Sequence, residues 1–146
     1  LMILESKKKD VESWITADGI SLLIKNGRII KTYGLEHNLV SLKYTKLDIG
    51  NPSDLSFNFY YSYDEPFLQD LGAKITNAIK GKEVIRILDK DMELTLVEET
   101  LISNKIRWKE VNRYWIDSSG FVWKSEQSIS PKLPPFHILV TKKPSE

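Results

Sequence analysis

Four residues, Asp117-Ser118-Ser119-Gly120, separate two segments that each carry tryptophan, NRYWI before them and FVWKS after. Asp in the first turn position accepts turn N–H groups on its carboxylate, and Gly in the fourth adopts φ > 0 without steric cost. A chain with this block reverses direction here as an antiparallel hairpin. Closed as a three-residue loop with a glycine bulge, the register puts Ile116 opposite Val122 and Trp115 opposite Trp123. Arg113 and Ser125 then share the tryptophan face one pair further along. Two adjacent indoles form a sheet-building patch, with no nucleophile, base and orienter in sequence and no metal-ligand set.

The same punctuation recurs upstream. Asp18-Gly19 and Asn26-Gly27 are two-residue hairpin signals, which predict a three-strand meander over residues 12–33. The first loop pairs Thr16 with Ser21, Ile15 with Leu22 and Trp14 with Leu23. The second pairs Ile24 with Ile29, Leu23 with Ile30 and Ser21 with Thr32. Ile15, Leu22, Ile24 and Ile29 then lie on one face and Trp14, Leu23 and Ile30 on the other. Apolar residues on both faces imply a meander closed into a barrel or covered on its second side.

Further along, Leu39 to Ile49 is weakly patterned and residues 50–54 read as a loop. Leu55 to Tyr63 alternates Phe57, Phe59, Tyr61 and Tyr63 against Ser56, Asn58, Tyr60 and Ser62, a strand with an aromatic face. Residues 66–80 fit two patterns. Phe67, Leu71, Ile75 and Ile79 recur at helical spacing behind Asp64 and Pro66. Gly72, the β-branched Ile75-Thr76 and the alternation from Ala73 instead favour a strand from residue 73, with a helical turn before it and a reversal at Lys80-Gly81. Asp89-Lys90-Asp91 predicts a turn, Glu93 to Ile102 a strand, and Phe136 to Lys142 a last strand set off by Pro131, Pro134 and Pro135. The expected fold is all-β and mainly antiparallel, a barrel-like or closed sandwich domain over residues 1–146 with at most one short helix.

Composition excludes several function classes. Twenty-one Lys+Arg against 20 Asp+Glu leave a net charge of +1, which gives no support to a nucleic-acid binder. The chain has no cysteine, so disulfides, thiolate metal sites and a cysteine nucleophile are absent from it. No run of 18 apolar residues occurs. His37 and His137 lie a hundred positions apart and make no metal-ligand spacing. Ser118 and Ser119 read as turn residues, no G-x-S-x-G occurs, and Asn26-Gly27-Arg28 precedes no helix, so neither a serine triad nor a phosphate loop is in view. The Lys7-Lys8-Lys9 run reads as a solvated segment. No catalytic residue, cofactor site or metal site is therefore assigned.

Four Trp and six Tyr suit stacking on sugar rings, but Trp14, Trp108, Trp115 and Trp123 are each read as core residues. Tyr60, Tyr61, Tyr63 and Arg113 are the candidates for a ligand or partner surface. Among carboxylates, Glu98, Glu99, Asp117 and Glu126 stand out. A glycosidase needs two carboxyls across a cleft, for which Glu98 and Glu126 are the candidate pair. Asp117 has a turn to cap, and strand carboxylates find cationic partners.

Several of these pieces, in their order along the chain, resemble the YjbF/GfcB family. The resemblance rests on Trp14…Asp18-Gly19, Asn26-Gly27-Arg28-Ile29…Lys31-Thr32…Gly34-Leu35…Asn38-Leu39, and Trp108…Asn112…Tyr114-Trp115-Ile116-Asp117…Gly120…Val122-Trp123…Ser125…Gln127…Ile129…Pro131…Pro134-Pro135. It covers about residues 12–39 and 108–144. Within it, Trp14, Gly27, Trp108, Asn112, Tyr114, Trp115, Asp117, Gly120, Trp123, Gln127 and Pro131 are expected to hold the fold. The family comprises lipoproteins encoded with exopolysaccharide and group 4 capsule genes in Gram-negative bacteria. It implies an antiparallel barrel-like domain facing the periplasm, tethered to the outer membrane by a lipid on a cysteine expected upstream of Leu1. Its implied role is non-enzymatic help in polysaccharide production or export, through contacts with polysaccharide or envelope proteins. A carboxylate-pair hydrolase and a barrel carrying a small apolar ligand are the alternatives.

Overall fold

The computed structural model describes residues 1–44, 49 and 56–145. The expected loop at 50–54 and the end of the segment Leu39–Ile49 lie outside these residues, apart from Ile49 itself. Eleven strands and no helix occur among the described residues: β1 (Ile3–Lys8), β2 (Val11–Ile15), β3 (Ser21–Lys25), β4 (Arg28–Tyr33), β5 (Leu39–Tyr44), β6 (Ser56–Tyr63), β7 (Leu68–Ile87), β8 (Lys90–Ser103), β9 (Trp108–Ile116), β10 (Val122–Gln127) and β11 (Phe136–Leu139). They form two antiparallel sheets, a four-stranded one in the order β1-β2-β3-β4 and a seven-stranded one in the order β11-β10-β9-β8-β7-β6-β5. The larger sheet curls as a half-barrel, and hydrogen bonding joins neither sheet into a ring among the described residues.

The meander forms where expected, with a different register. At Asp18-Gly19 the loop is longer than two residues: Thr16 N donates to Ile20 O, Gly19 N to Thr16 O, and Ile15 pairs with Ser21. Trp14 therefore faces Leu22, not Leu23, and moves to the inner face. At Asn26-Gly27 both residues have φ > 0, 50° and 85°, and Ile24 pairs with Ile29 as expected. A bulge then shifts Leu23 to Lys31 and Ser21 to Tyr33. Leu22, Ile24 and Ile29 are buried, and Trp14 packs against them. The apolar pattern on two faces thus came partly from an assumed register; Leu23 and Ile30 are only half-buried.

Residues 68–87 form one continuous strand, so the helical reading of 66–80 does not hold. Lys80-Gly81 is a bulge within β7 rather than a reversal, and the chain turns at Leu88-Asp89, with Ile87 opposite Lys90. On β6 the alternation is as read: Phe59, Tyr61 and Tyr63 are fully buried while Ser56, Asn58 and Tyr60 face out. These rings, with Leu71, Ala73, Ile75, Leu101 and Trp108 from the large sheet and Leu22, Ile24 and Ile29 from the small one, build the main core.

The crossing between sheets is tied by Asn38. Its Oδ1 accepts from Thr32 Oγ1 at 3.1 Å and Leu35 N at 3.0 Å, and its Nδ2 donates to Leu35 O at 2.9 Å and Asp64 Oδ2 at 3.1 Å. Thr32 Oγ1 accepts from Leu39 N at 3.0 Å, carrying the network onto β5. Such turns leave backbone groups without ladder partners, and here one amide side chain supplies them.

Candidate functional site

Three consecutive residues at the start of β4 dock the small sheet onto the large one. A Cβ on Gly27 would lie 2.3 Å from Val122 Cγ2, so only glycine permits this approach. Arg28 follows, buried at 3% exposure, and its fork meets the fully buried Glu99 of β8: Nη1 to Oε1 at 2.8 Å and Nη2 to Oε2 at 2.6 Å. Ile29 N then donates to Gln127 Oε1 at 3.0 Å, while Gln127 Nε2 donates to Gly27 O at 2.8 Å and Ser125 Oγ at 3.0 Å. Aromatic faces surround the guanidinium, with Phe59 centred 4.8 Å away, Tyr114 5.7 Å and Tyr44 5.8 Å. Burial works against the charge on Arg28, yet Glu99 and the neighbouring ring oxygens win, so its pKa lies above the ordinary value. Burial also pushes the Tyr61 and Tyr114 phenols up.

The second buried polar group is His37. Its Nδ1 hydrogen donates to Glu65 O at 2.8 Å, and its Nε2 lies 2.8 Å from Ser130 Oγ. The ring stacks on Tyr63 at 4.6 Å, and Tyr63 OH donates to Ile129 O at 2.5 Å. Serine, histidine and a carbonyl thus stand at the spacing of a nucleophile, a base and its orienter. Ser130 is only 1% exposed and its Oγ also accepts Lys132 N at 3.1 Å. Closed to solvent and doubly bonded, it fastens the β6 end to the segment after β10. The sequence offered no signal for this pair, since His37 and Ser130 are 93 positions apart.

The hairpin at 117–120 forms with Ile116 opposite Val122, as expected, but a bulge at Trp123 shifts the rest. Trp115 pairs with Lys124, whose Nζ lies 4.6 Å from the ring centre, and Arg113 pairs with Glu126, not Ser125. The two indoles are therefore not partners. Trp123 turns its Nε1 to Asp117 Oδ2 at 3.0 Å and meets Phe121 edge-on at 5.0 Å. Asp117 Oδ1 accepts from Ser119 N at 2.8 Å and Phe121 N at 3.0 Å, and Gly120 N donates to Asp117 O with φ +86°. Partial burial acts to raise the Asp117 carboxyl, but these bonds together hold it below the usual carboxylate range.

The remaining family-motif residues make the following contacts. Trp14 Nε1 donates to Glu12 Oε1 at 2.9 Å. Trp108 is buried and meets Tyr61 edge-on at 5.3 Å. Asn112 Oδ1 accepts Ser128 N at 2.8 Å, and Asn112 Nδ2 and Tyr114 OH both approach Glu99 at 3.4 Å. Pro131 opens an exposed turn closed by Leu133 N on Ser130 O.

Of the four candidate surface residues, two are not on the surface. Tyr61 and Tyr63 are 2% and 1% exposed, because strand alternation turns them inward with Phe59. Tyr60 is 42% exposed on the opposite face. Arg113 is on that outer face too, but its charge is taken: Nε meets Glu98 Oε2 at 3.0 Å and Nη1 meets Glu126 Oε1 at 3.6 Å. Lys80 and His137 extend this ladder, at 3.8 Å from Glu98 and 3.7 Å from Glu126. Glu98 and Glu126 thus flank a guanidinium across neighbouring strands and do not face each other over a cleft. Between the sheets, Phe59, Tyr61, Tyr63 and Trp108 pack with aliphatic side chains into one core. The described residues hold no cluster of three or more His, Cys, Asp or Glu side chains able to bind a metal.

Comparison with known proteins is consistent with this geometry. The family described as group 4 capsule polysaccharide lipoprotein gfcB, YjbF matches residues 1–140. The uncharacterized lipoprotein YjbF of Escherichia coli K12 is 25% identical over 133 residues, covering 86% of this chain and 61% of that protein. The uncharacterized lipoprotein GfcB of the same organism is 23% identical over 149 residues, covering 97% and 69%. The crystal structure of the hypothetical lipoprotein YmcC from Escherichia coli K12 superposes with a TM-score of 0.88 at 20% identity, over 99% of this chain and 78% of that one, and shares the fold. With an all-β architecture and a match along nearly its whole length, the chain belongs to the YjbF family of group 4 capsule polysaccharide lipoproteins.

Proposed function

We propose that this domain is a non-enzymatic accessory of capsule or exopolysaccharide production or export, held at the periplasmic face of the outer membrane by an upstream lipid. It acts through contacts with polysaccharide or with envelope proteins. The observation that carries the reading is the division of polar groups. Inward-facing Arg28, Glu99, His37, Ser130, Asn112 and Gln127 are engaged with one another or with backbone, which suits structure better than turnover. The outer face of the seven-stranded sheet carries an exposed tyrosine among exposed lysines, which suits contact. Deleting the gene is expected to lower surface capsule, and a copy carrying Glu98→Gln and Glu126→Gln together is expected to restore it. Failure of that copy, with the protein folded and present at wild-type level, would favour the hydrolase instead.

A further inference from the structure

The outer face of the large sheet has two corners with different electrostatics. In one, Lys80, Glu98, Arg113 and Glu126 alternate in sign across four neighbouring strands and neutralise each other, with His137 Nδ1 3.7 Å from Glu126 on the next strand. In the other, register places Lys43 opposite Tyr60 and Tyr60 opposite Gly72, with Asn58 opposite Lys74 in the next row. That row continues through Ile102 to Lys109. Lys43, Asn58, Tyr60, Gly72, Lys74 and Lys109 are all exposed. Lys43 is 3.3 Å from Asp70; among the described residues neither Lys74 nor Lys109 has an acidic partner within 4.0 Å.

The Tyr60 ring lies beside Gly72: a Cβ there would stand at ordinary contact distance, 3.6 Å from Tyr60 Cε1, so the ring edge rests against the neighbouring strand. No other aromatic ring or cation covers the ring among the described residues. A flat, negative ring face attracts the polarised C–H groups of a sugar ring. On the β7 side of Tyr60, Lys74 and Lys109 stand without an acidic partner among the described residues and call for negative charge, while on its β5 side Lys43 shares its charge with Asp70. From β5 to β9 the patch spans about 19 Å, four strand spacings, enough for several sugar units in a row.

We propose that Tyr60, Lys43, Lys74 and Lys109 form a binding face for an acidic glycan, with a sugar ring stacked on Tyr60 and its carboxylates held by Lys74 and Lys109. This rests on the reading of the domain as one that contacts polysaccharide, and it names the sugar class and the surface.

The test uses oligogalacturonate and, as a neutral control, a maltooligosaccharide of equal length, titrated into the purified chain and followed by backbone amide shifts. Shifts at 58–60, 72–74, 102 and 109 with the acidic sugar alone, weakening with added salt, are expected. Tyr60→Ala is expected to weaken binding roughly tenfold, Tyr60→Phe to preserve it, and Lys74→Glu with Lys109→Glu to abolish it. Arg113→Gln, in the neutralised corner, leaves it unchanged. Equal binding of the neutral sugar, or full affinity in folded Tyr60→Ala, overturns the proposal and leaves the accessory role standing with its contact elsewhere. No shift with either sugar at millimolar concentration overturns it as well, and leaves protein partners as the domain's contacts.

Discussion

Replacing Glu99 by Gln keeps the shape of the side chain and removes the charge that Arg28 is buried against. The guanidinium cannot give up its proton in any ordinary buffer, so the variant must hold an unpaired cation in a site where Arg28 is 3% exposed. Breaking one side of a buried ion pair costs about 3–5 kcal/mol. The three aromatic faces around Arg28 remain and offset part of the loss, so about 3 kcal/mol is expected, or a Tm lower by about 6–12 °C for a chain of this size. Urea unfolding followed by tryptophan fluorescence measures it, with an unchanged m-value as the check that the native state is intact. Arg28→Met alone should cost a similar amount by stranding the carboxylate. The double variant Arg28→Met/Glu99→Leu should fall well short of the sum, because it removes both desolvated charges together. A Glu99→Gln protein within about 1 kcal/mol of wild type, or additive single effects, would refute the assignment of a paired and tightly buried charge.

Gly27→Ala should destabilise by about 2–4 kcal/mol, since it adds a clash with Val122 to the φ > 0 penalty. Gly19→Ala meets nothing within 4 Å and should cost only the backbone term of about 1–2 kcal/mol; Val122→Ala should relieve the first only in part, because Val122 Cβ itself would stand 2.7 Å from the added Cβ, and should leave the second unchanged, read as urea midpoints. Burial raises the phenols of Tyr61, Tyr63 and Tyr114, so their contribution is complete below the unfolded tyrosine pKa of about 10 and is lost as pH rises toward the folded values. The midpoint should therefore fall steeply above pH 10, by up to about 4 kcal/mol per pH unit for the three, and a flat profile to pH 11 would count against their burial. Asp117→Ala removes the acceptor for Ser119 N, Phe121 N and Trp123 Nε1 and should cost about 2–3 kcal/mol. The lowered Asp117 pKa makes that contribution present above the unfolded value and lost as pH falls through the folded one; wild type and variant should converge in acid, and a constant gap would be the contrary result.

How much of this was legible can be followed residue by residue. Asp117 and Gly120 do what their chemistry requires, and the alternation of β6 sorted buried Phe59, Tyr61 and Tyr63 from exposed Tyr60. Register was the weak point. Glycine after Asp serves both two-residue loops and longer ones with a bulge, and at Asp18-Gly19 the longer form shifts every pair by one. The bulges at Trp123 and between Leu23 and Ile24 leave no mark in sequence at all. Ring chemistry alone reads Tyr61 and Tyr63 as a surface, whereas they share the parity of Phe59, whose apolarity points that face inward. Glu99 carried an unused signal of the same kind: it shares the phase of Val97 and Leu101, both fully buried. A carboxylate in phase with a core stripe needs a cation, and Arg28 directly after a glycine turn is the one that arrives.

That arrival explains why the interface between the sheets is built this way. An apolar face against an apolar face tolerates sliding, because Leu22 or Ile24 finds equivalent contacts one step along. Gly27 against Val122, Arg28 on Glu99 and Ile29 N on Gln127 occupy three consecutive positions, and none keeps its partner after a shift. The buried pair therefore sets where the small sheet docks more than how tightly. The double variant Arg28→Met/Glu99→Leu provides the separation: its unfolding midpoint should stay near that of wild type. Its amide resonances along β3 and β4 should broaden or double as alternative dockings become populated. One sharp set of resonances at unchanged stability would mean that the core and Gln127 specify the docking by themselves, and that the ion pair adds nothing to it.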